Sequence, residues 1–426
     1  MIRQSKKITK LQHVYSKTFY DILEDSFWNA GSSKELKIHR IHSYPAKFPA
    51  LITEKGIEYV NERGFRPLTI ADVFCGCGTV GFEAKRQGIS FWGCDINPVA
   101  TMIAKVKSNC YESDKLQALL IKIVNEYNYL ASDMNPYIDA PERLRYWYSE
   151  SSYNDLYRLK MAICTILPKK YKYRLFFDCA FSNILKSTSR WLMKSIKPQV
   201  DPQKKPADVI STFTKQCHFM TSAFTETIGG NNSTAEFATK NFLNTRLVRP
   251  NVDMIITSPP YVTSYDYADL HQLSLLWLDF CSDYRSLRCG SIGSSFMPSD
   301  NDCADLNRAG EIVVSSLTHK DKSQARSIAK YFLDMQKALK YSVEMLNADG
   351  YILLVIGDTE YKGVHIENAR HIVEALIING ISDVSIRKRK ISGKNLSPYR
   401  DKYGRFSNNK NNRRIYSEEY IIIGRK

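Results

Sequence analysis

The segment Thr257–Tyr261 (TSPPY) places a hydroxyl, two prolines and an aromatic ring directly after the apolar run Met254–Ile256. Prolines cannot donate backbone hydrogen bonds to a sheet, so a strand ends where it reaches two of them, and their fixed φ holds nearby carbonyls in place. The Ser258 hydroxyl and the Pro259 carbonyl can then accept hydrogen bonds from an exocyclic amino group, while the Tyr261 ring stacks on the attached base. The segment therefore predicts a site that aims an amino group at an electrophile. The alternative is a proline-terminated strand followed by a packed tyrosine.

A glycine-rich segment follows an earlier predicted strand. Pro67–Phe74 is apolar and β-branched, and the residues after it, 75–79, read CGCGT. Glycines let the backbone approach a ligand without a clashing Cβ atom. A second predicted strand, Ile89–Cys94, leads to Asp95, whose carboxylate lies at about the spacing that suits the two hydroxyls of a ribose. Because ligands of doubly wound sheets bind at the carboxyl ends of strands, the loop, Asp95 and Ser258 are expected to share one site. The loop is not GxGxxG, so it does not indicate a dinucleotide, and a tight turn with glycines needed only for packing is the alternative.

Strand and helix patterns alternate along much of the chain, which indicates an α/β fold with a doubly wound sheet. The alternation stops after Asn109, and the following stretch reads as mainly helical and basic. We therefore predict a catalytic domain over residues 1–110 and 230–426 and a helical insertion over residues 111–229. Further strands are expected at Val252–Thr257 and Tyr351–Ile356. Further helices are expected at Leu270–Phe280 and Ala325–Leu346.

The C-terminal region carries a long basic segment. Ile386–Arg389 and Tyr420–Ile423 are expected to pair as a hairpin across it. Between Arg387 and Arg414 there are eleven lysines and arginines and one acid, Asp401, with aromatic residues among them. This mixture suits contacts to phosphates and bases, and a solvated loop is the alternative.

Composition bounds the function. The 426 residues are 43% hydrophobic and 24% charged, which indicates a globular protein, and the net charge of +16 favours a polyanionic partner such as nucleic acid. Ten cysteines without a CxxC pair indicate reduced thiols and no metal site. No apolar run reaches membrane-spanning length and no secretory signal is evident, so a cytoplasmic location is expected.

Four stretches of the chain resemble motifs of the S-adenosylmethionine-dependent amino-methyltransferases of DNA, the bacterial modification methylases. ADVFCGCGT (Ala71–Thr79) is similar to their cofactor loop, and HSYPAKFP (His42–Pro49) is similar to the segment that precedes this loop. TSPPY resembles their catalytic tetrapeptide, and SYDYADLHQLSLLWL (Ser264–Leu278) is similar to the continuation found in one subgroup. The resemblance implies a Rossmann-like methyltransferase fold with a mostly parallel seven-stranded sheet.

The resemblance also implies roles for individual residues. S-adenosylmethionine would be bound with Asp72 near the methionine amino group, Asp95 on the ribose hydroxyls and Ile96 over the adenine. The tetrapeptide would hold a base flipped out of double-stranded DNA, and no general base or metal is needed because the sulfonium is a strong leaving group. The implied cofactor residues are Lys47, Phe48, Asp72, Phe74, Cys75, Gly76, Gly78, Thr79, Asp95 and Ile96, and the implied catalytic residues are Ser258, Pro259, Pro260 and Tyr261.

The serine form of the tetrapeptide is typical of cytosine-N4 enzymes, whereas adenine-N6 enzymes more often carry Asp or Asn there. Here TSPPY follows the cofactor loop, and many cytosine-N4 enzymes have the opposite order. Cytosine N4 is the predicted target, with adenine N6, an RNA amino group and a non-catalytic nucleic-acid-binding relic as alternatives. A carbon-5 cytosine methyltransferase needs a cysteine nucleophile, usually in a Pro-Cys dipeptide, and the chain has no such dipeptide. A cognate restriction endonuclease is a candidate partner whose existence the sequence leaves open. Either the insertion or the basic segment is expected to read the DNA.

Overall fold

The computed structural model describes residues 21–29, 34–131, 135–226, 233–262, 266–293, 305–391, 399–400, 406–407, 409, 413–414 and 418–426. The strands are β1 (Thr69–Asp72), β2 (Ser90–Asp95), β3 (Ala235–Thr239), β4 (Val252–Thr257), β5 (Leu346–Ile356), β6 (Thr359–Tyr361), β7 (Val364–Ile366), β8 (Asp383–Lys390), β9 (Tyr399–Arg400), β10 (Phe406–Ser407), β11 (Arg413–Arg414) and β12 (Glu418–Arg425).

Seven of these strands form the central sheet in the order β3-β2-β1-β4-β5-β12-β8. The first five run parallel to one another, and β12 is antiparallel to both of its neighbours. The predicted mostly parallel seven-stranded sheet is therefore confirmed. Strands β9, β10 and β11 form a separate small antiparallel sheet, and β6 pairs with β7.

Helices cover both faces of the sheet, as a doubly wound fold requires. They are α1 (Ala50–Asn61), α2 (Thr79–Arg86), α3 (Pro98–Ser108), α4 (Ser113–Tyr129), α5 (Glu142–Trp147), α6 (Glu150–Ile166), α7 (Lys172–Ile184), α8 (Val209–Thr225), α9 (Tyr267–Leu270), α10 (Gln272–Trp277), α11 (Arg308–Thr318), α12 (Lys322–Met345) and α13 (Asn368–Ile378). The predicted single helix over Leu270–Phe280 is thus wrong in its bounds. His271 has φ −105° and ψ 11°, which lies outside the helical region, so the helix is divided there.

The two-residue periodicity of the strands sorts their side chains between two cores. In β4, Ile255 packs with helices α11, α12 and α13, while Met254 and Ile256 pack on the other face with α1 and α2. Both sets are fully buried, so β4 is apolar on both faces, as a central parallel strand must be. This burial fixes the direction in which β4 delivers the TSPPY segment.

Helices α4 to α8 form a lobe with its own hydrophobic cluster. That cluster also includes Met102 and Val106 of α3 and Leu273 and Trp277 of α10. Helix α3 is therefore packed between the sheet and the lobe, because Ala104 on its opposite side belongs to the sheet core. The lobe is anchored directly on the helix that follows Asp95.

The terminal hairpin is confirmed, because β8 and β12 pair antiparallel along their whole length. The expectation that Arg387–Lys390 belongs to a free basic loop is wrong. These residues end β8, and each of their cationic groups pairs with a carboxylate: Arg387 with Asp25, Lys388 with Glu418, Arg389 with Glu419 and Lys390 with Glu24. The other basic residues of the segment are either described only as backbone or, like Lys394, Lys402, Arg405 and Lys410, lie outside the described residues.

Candidate active site

Three parallel strands deliver the predicted site residues to one edge of the sheet. Strands β2, β1 and β4 are adjacent, and they end at Asp95, Asp72 and Thr257. The Thr257 hydroxyl donates a 2.6 Å hydrogen bond to Oδ1 of Asp72, and the Phe74 amide donates a second bond of 3.1 Å to the same oxygen. The TSPPY segment and the glycine-rich loop are therefore joined by a direct side-chain contact.

The glycine-rich loop has a geometry that needs its glycines. Gly76 and Gly78 have φ values of +47° and +74°, in the left-handed region. A Cβ atom on Gly78 would lie 2.5 Å from the Cβ of Ala104, so this glycine also permits close packing of the loop on α3. The Gly76 amide donates to Oδ2 of Asp95 at 2.9 Å, and the Asn97 amide donates to Oδ1 at 2.8 Å. Each carboxylate oxygen is oriented by one backbone bond and keeps a further lone pair for a hydroxyl.

The two carboxylates place negative charge at the adjacent ends of β1 and β2. Asp72 is 2% exposed, and burial raises its pKa to about 7, with a further contribution from the Asp95 charge. Burial also raises the pKa of Asp95 to about 6, although its two backbone hydrogen bonds oppose the shift. Among the residues that the structure describes, no lysine, arginine or histidine forms an ion pair with either group. A ligand that carries positive charge would relieve this unfavourable burial.

These features fit S-adenosylmethionine, the cofactor implied by the motifs. The molecule carries an ammonium and a sulfonium, which suit the unpaired carboxylates of Asp72 and Asp95, and a ribose whose hydroxyls suit the free lone pairs of Asp95. The left-handed glycines leave the loop backbone open to close approach. Thr79 begins α2 directly after the loop and is buried.

Three of the predicted cofactor residues, Lys47, Phe48 and Ile96, already make other contacts within the protein. The Lys47 ammonium is held by Glu35 at 2.7 Å and by the His39 carbonyl at 2.8 Å, so its charge is already compensated. Phe48 packs against the sheet core that contains Cys75. Ile96 packs against Gly290 so closely that a Cβ there has no room. These roles remain predictions.

The tetrapeptide is held by hydrogen bonds on both sides. The Ser258 hydroxyl donates to the Val355 carbonyl of β5 at 3.0 Å, which leaves its oxygen lone pairs as acceptors. The Pro260 carbonyl accepts a 2.9 Å bond from the Tyr331 hydroxyl. Within the described part of the chain, no group donates to the Pro259 carbonyl. The acceptor pair predicted for an amino group, Ser258 Oγ and Pro259 O, therefore keeps lone pairs that no described group uses.

Sequence reasoning missed an aromatic stack over the loop. The Tyr44 ring covers Gly76, with its Cε1 3.5 Å from where a Cβ of Gly76 would lie, and it stacks on His271 at a centroid distance of 5.0 Å. His271 in turn is hydrogen bonded through Nδ1 to the side-chain amide nitrogen of Asn97, at 2.9 Å. Burial and the Asp95 charge raise the pKa of Tyr44, so its phenol stays protonated. Tyr44 lies in HSYPAKFP and His271 in SYDYADLHQLSLLWL, and their ring type was the signal that could have identified them.

Two further features bound the chemistry. No group of three or more histidine, cysteine or acidic side chains with metal-binding geometry occurs in the described ranges. None of the helices in the described ranges has the length and apolar character needed to span a membrane.

Comparison with known proteins supports the same class. No family model matches the chain. Type II methyltransferase M.MvaI from Kocuria varians is 23% identical over 368 residues, which cover 79% of this chain and 80% of that protein. Type II methyltransferase M.BsoBI from Geobacillus stearothermophilus is 24% identical over 277 residues, 58% of this chain and 54% of that protein. Type II methyltransferase M.MjaII from Methanocaldococcus jannaschii is 29% identical over 129 residues, 29% of this chain and 23% of that protein.

Among solved structures, an S-adenosylmethionine-dependent methyltransferase from Methanosarcina mazei aligns with 90% of this chain and 98% of its own. Its identity of 10% and TM-score of 0.29 are too low to carry a conclusion. The motifs, the sheet and the curated relatives agree without it. The chain is similar to Type II methyltransferases, and its predicted resemblance to S-adenosylmethionine-dependent DNA amino-methyltransferases is confirmed.

Proposed function

We propose that the protein methylates the N4 amino group of cytosine in double-stranded DNA, on a base flipped out of the helix. The observation that carries the proposal is the hydrogen bond between Thr257 and Asp72. Thr257 directly precedes the tetrapeptide, and Asp72 is the carboxylate proposed to bind the amino group of the cofactor. Donor and acceptor groups of a transfer reaction must lie within a few ångströms of each other, and this bond supports such an arrangement.

The proposal gives Asp72, Asp95, Ser258 and Pro259 each a defined role. S-adenosylmethionine supplies the electrophilic methyl group when bound. Asp95 holds the ribose and Asp72 the amino group of the cofactor, while Ser258 and Pro259 accept hydrogen bonds from the amino group of the base. These bonds draw the nitrogen lone pair out of ring conjugation and aim it at the methyl group. The amino proton then leaves to solvent.

The choice of cytosine over adenine rests on the resemblance, because the serine form of the tetrapeptide is typical of cytosine-N4 enzymes. The geometry of Ser258 suits the amino group of either base. Its hydroxyl proton is committed to the Val355 carbonyl, so the amino group of the base meets an uncharged oxygen that acts only as an acceptor. One hydrogen bond to Ser258 and one to Pro259 satisfy both N–H groups of a cytosine amine. Adenine N6 is the alternative target, since its amino group offers the same two donors on a larger ring.

The helical lobe supplies the surface that we propose for DNA. Lys169, Lys170 and Lys172 are exposed around the start of α7, and no carboxylate in the described ranges pairs with them. The cations at the end of β8 are, in contrast, each paired with a carboxylate. Ammonium groups without a carboxylate partner displace counterions from phosphates, whereas groups in ion pairs contribute less. Residues 111–229 are therefore proposed as a DNA-contacting insertion.

The test is to incubate the protein with duplex DNA and isotopically labelled S-adenosylmethionine, digest the DNA and identify the labelled nucleoside by mass spectrometry. N4-methylcytosine supports the proposal. Label in N6-methyladenine corrects the base and keeps the mechanism, whereas label in 5-methylcytosine contradicts the mechanism. Label only in structured RNA, offered in parallel, would assign the protein to the RNA alternative.

Two partner properties follow from the same proposal. Base flipping is tested with 2-aminopurine at the target position, whose fluorescence should rise when the protein binds.

A cognate restriction endonuclease should be blocked by the methylation, so DNA treated with the protein should resist cleavage by an endonuclease of the same recognition sequence.

A further inference from the structure

The ring of Tyr261 is fixed by two contacts outside the tetrapeptide. A Cβ on Gly357 would lie 3.2 Å from Cε2 of Tyr261, so the ring lies close over the backbone that follows β5. The Tyr261 hydroxyl donates a 3.0 Å hydrogen bond to Oε1 of Glu419 on β12. The Tyr261 ring is thereby held by the Gly357 backbone beside it and by Glu419 at its hydroxyl.

Glu419 is itself held by the edge strand. Arg389 of β8 donates two hydrogen bonds to Oε2 of Glu419, from Nε at 3.0 Å and from an Nη at 2.6 Å. The two residues face each other in the β8–β12 ladder, and their side chains are 5% and 16% exposed. One carboxylate oxygen therefore serves Arg389 and the other serves Tyr261. Charge-assisted bonds of this kind are stronger than neutral ones, and they leave Glu419 little freedom to rotate.

We propose that Glu419 and Arg389 are positioning residues that hold the Tyr261 ring in the orientation in which it stacks on the flipped base. This inference rests on the proposed function, because it assigns Tyr261 the stacking role. Burial and the negative charge of Glu419 both raise the pKa of Tyr261 well above its usual value, so the phenol remains the donor in this bond throughout the physiological pH range. The hairpin at the sheet edge thus acts on a residue of the tetrapeptide.

The proposal is tested by Tyr261→Phe and Glu419→Gln, singly and together. The first variant removes only the hydroxyl. In the second, the amide must turn its oxygen to the two Arg389 donors, so its NH₂ group faces Tyr261 and can only donate to the phenol oxygen. The charge-assisted bond is thereby replaced by a weaker neutral bond of reversed direction. Each single variant should lower kcat for DNA methylation about tenfold and leave the Kd for S-adenosylmethionine unchanged, as expected for one hydrogen bond to a charged group. The double variant should be no slower than the slower single one, because both changes remove the same charge-assisted hydrogen bond between Tyr261 and Glu419.

Glu418→Gln is the matched control. Glu418 is the neighbouring residue on β12 and pairs with Lys388 at 3.1 Å, across the same two strands. Its substitution should leave kcat within about twofold of the wild-type value, as expected for an ion pair with a half-exposed carboxylate. Additive effects in the double variant, or an equal loss of kcat in the control, would show that the hairpin acts only through stability and would overturn the proposal. If Glu419→Gln does not fold, Tyr261→Phe decides alone, and a wild-type kcat for it refutes the proposal.

A spectroscopic measurement separates this inference from the proposed function. With 3-fluorotyrosine at position 261, the fluorine resonance of the wild-type protein should be a single narrow line. Glu419→Gln should shift and broaden it, and Glu418→Gln should not. This result is expected even if the substrate proves to be RNA. An unchanged line in Glu419→Gln would overturn the positioning role whatever the enzyme methylates.

Discussion

Lowering the pH from 8 to 6 should weaken cofactor binding, because Asp72 takes up a proton across this interval. With a pKa of about 7, its carboxylate is about 90% ionised at pH 8 and about 10% ionised at pH 6. Only the ionised form attracts the ammonium of S-adenosylmethionine. The Kd should therefore rise about tenfold, which corresponds to about 1.4 kcal/mol. Asp95, whose pKa is about 6, adds about a further factor of two at pH 6.

The assay is titration calorimetry at pH 6, 7 and 8 in two buffers that differ in ionisation enthalpy. Binding should release protons near pH 7, since the bound cation favours the ionised carboxylate. Asp72→Asn keeps an oxygen for the Thr257 hydroxyl and removes the titration, so it is the control. It should bind more weakly at pH 8 and show a pH dependence of at most about twofold, from Asp95 alone. A wild-type Kd that is equal at pH 6 and 8, or an Asn variant with the full tenfold dependence, would refute the reasoning.

Three other predictions follow from the same geometry. Asp95→Ala should weaken S-adenosylmethionine binding at least about tenfold, because it removes two hydrogen bonds to a charged group, and calorimetry on the folded variant would show this. Gly78→Ala should lower the thermal unfolding temperature, because Gly78 has a left-handed backbone and the added Cβ would lie 2.5 Å from the Cβ of Ala104. Gly64→Ala is the control, because Gly64 is also left-handed but has nothing within 4 Å of the added Cβ. It therefore measures the cost of the backbone conformation without the clash. Replacing the three lysines Lys169, Lys170 and Lys172 by glutamine should reduce the slope of log K against log salt for DNA binding by about 0.9 for each phosphate that the protein no longer neutralises, and an unchanged slope would exclude this surface.

The fold was predictable because its signals are local. Strand β4 was predicted with its observed bounds, since an apolar run followed by two prolines leaves little choice of where the strand ends. The glycine-rich turn and the acid at the end of β2 were also predicted, because each directly follows an apolar strand pattern in the sequence. The pairing of β8 with β12 was also predicted, from the two segments that flank the long basic loop near the chain end. The division of the helix at His271 was not, because Leu270–Phe280 carries no glycine or proline to mark it.

The basic segment shows where local reasoning fails. Arg387–Lys390 looks like a cationic cluster in the sequence, because the carboxylates that pair with it come from residues 24–25 and 418–419. Charge along a short stretch does not show whether the charge is compensated. Only the ladder between β8 and β12, with its register of Arg389 opposite Glu419, shows that two of these cations are buried against acids.

The same distance in sequence explains why the partners of Tyr261 were missed. Glu419 lies 158 residues after it, and the two meet only because β12 enters the sheet antiparallel, beside β5. A parallel strand at this position would run in the opposite direction and place its other end near the tetrapeptide. Because β12 runs antiparallel to β5, its first residues, which include Glu419, lie at the edge of the sheet where β4 ends. The antiparallel strand, usually regarded as a feature of the fold alone, therefore supplies the hydrogen bond that we propose orients the stacking ring.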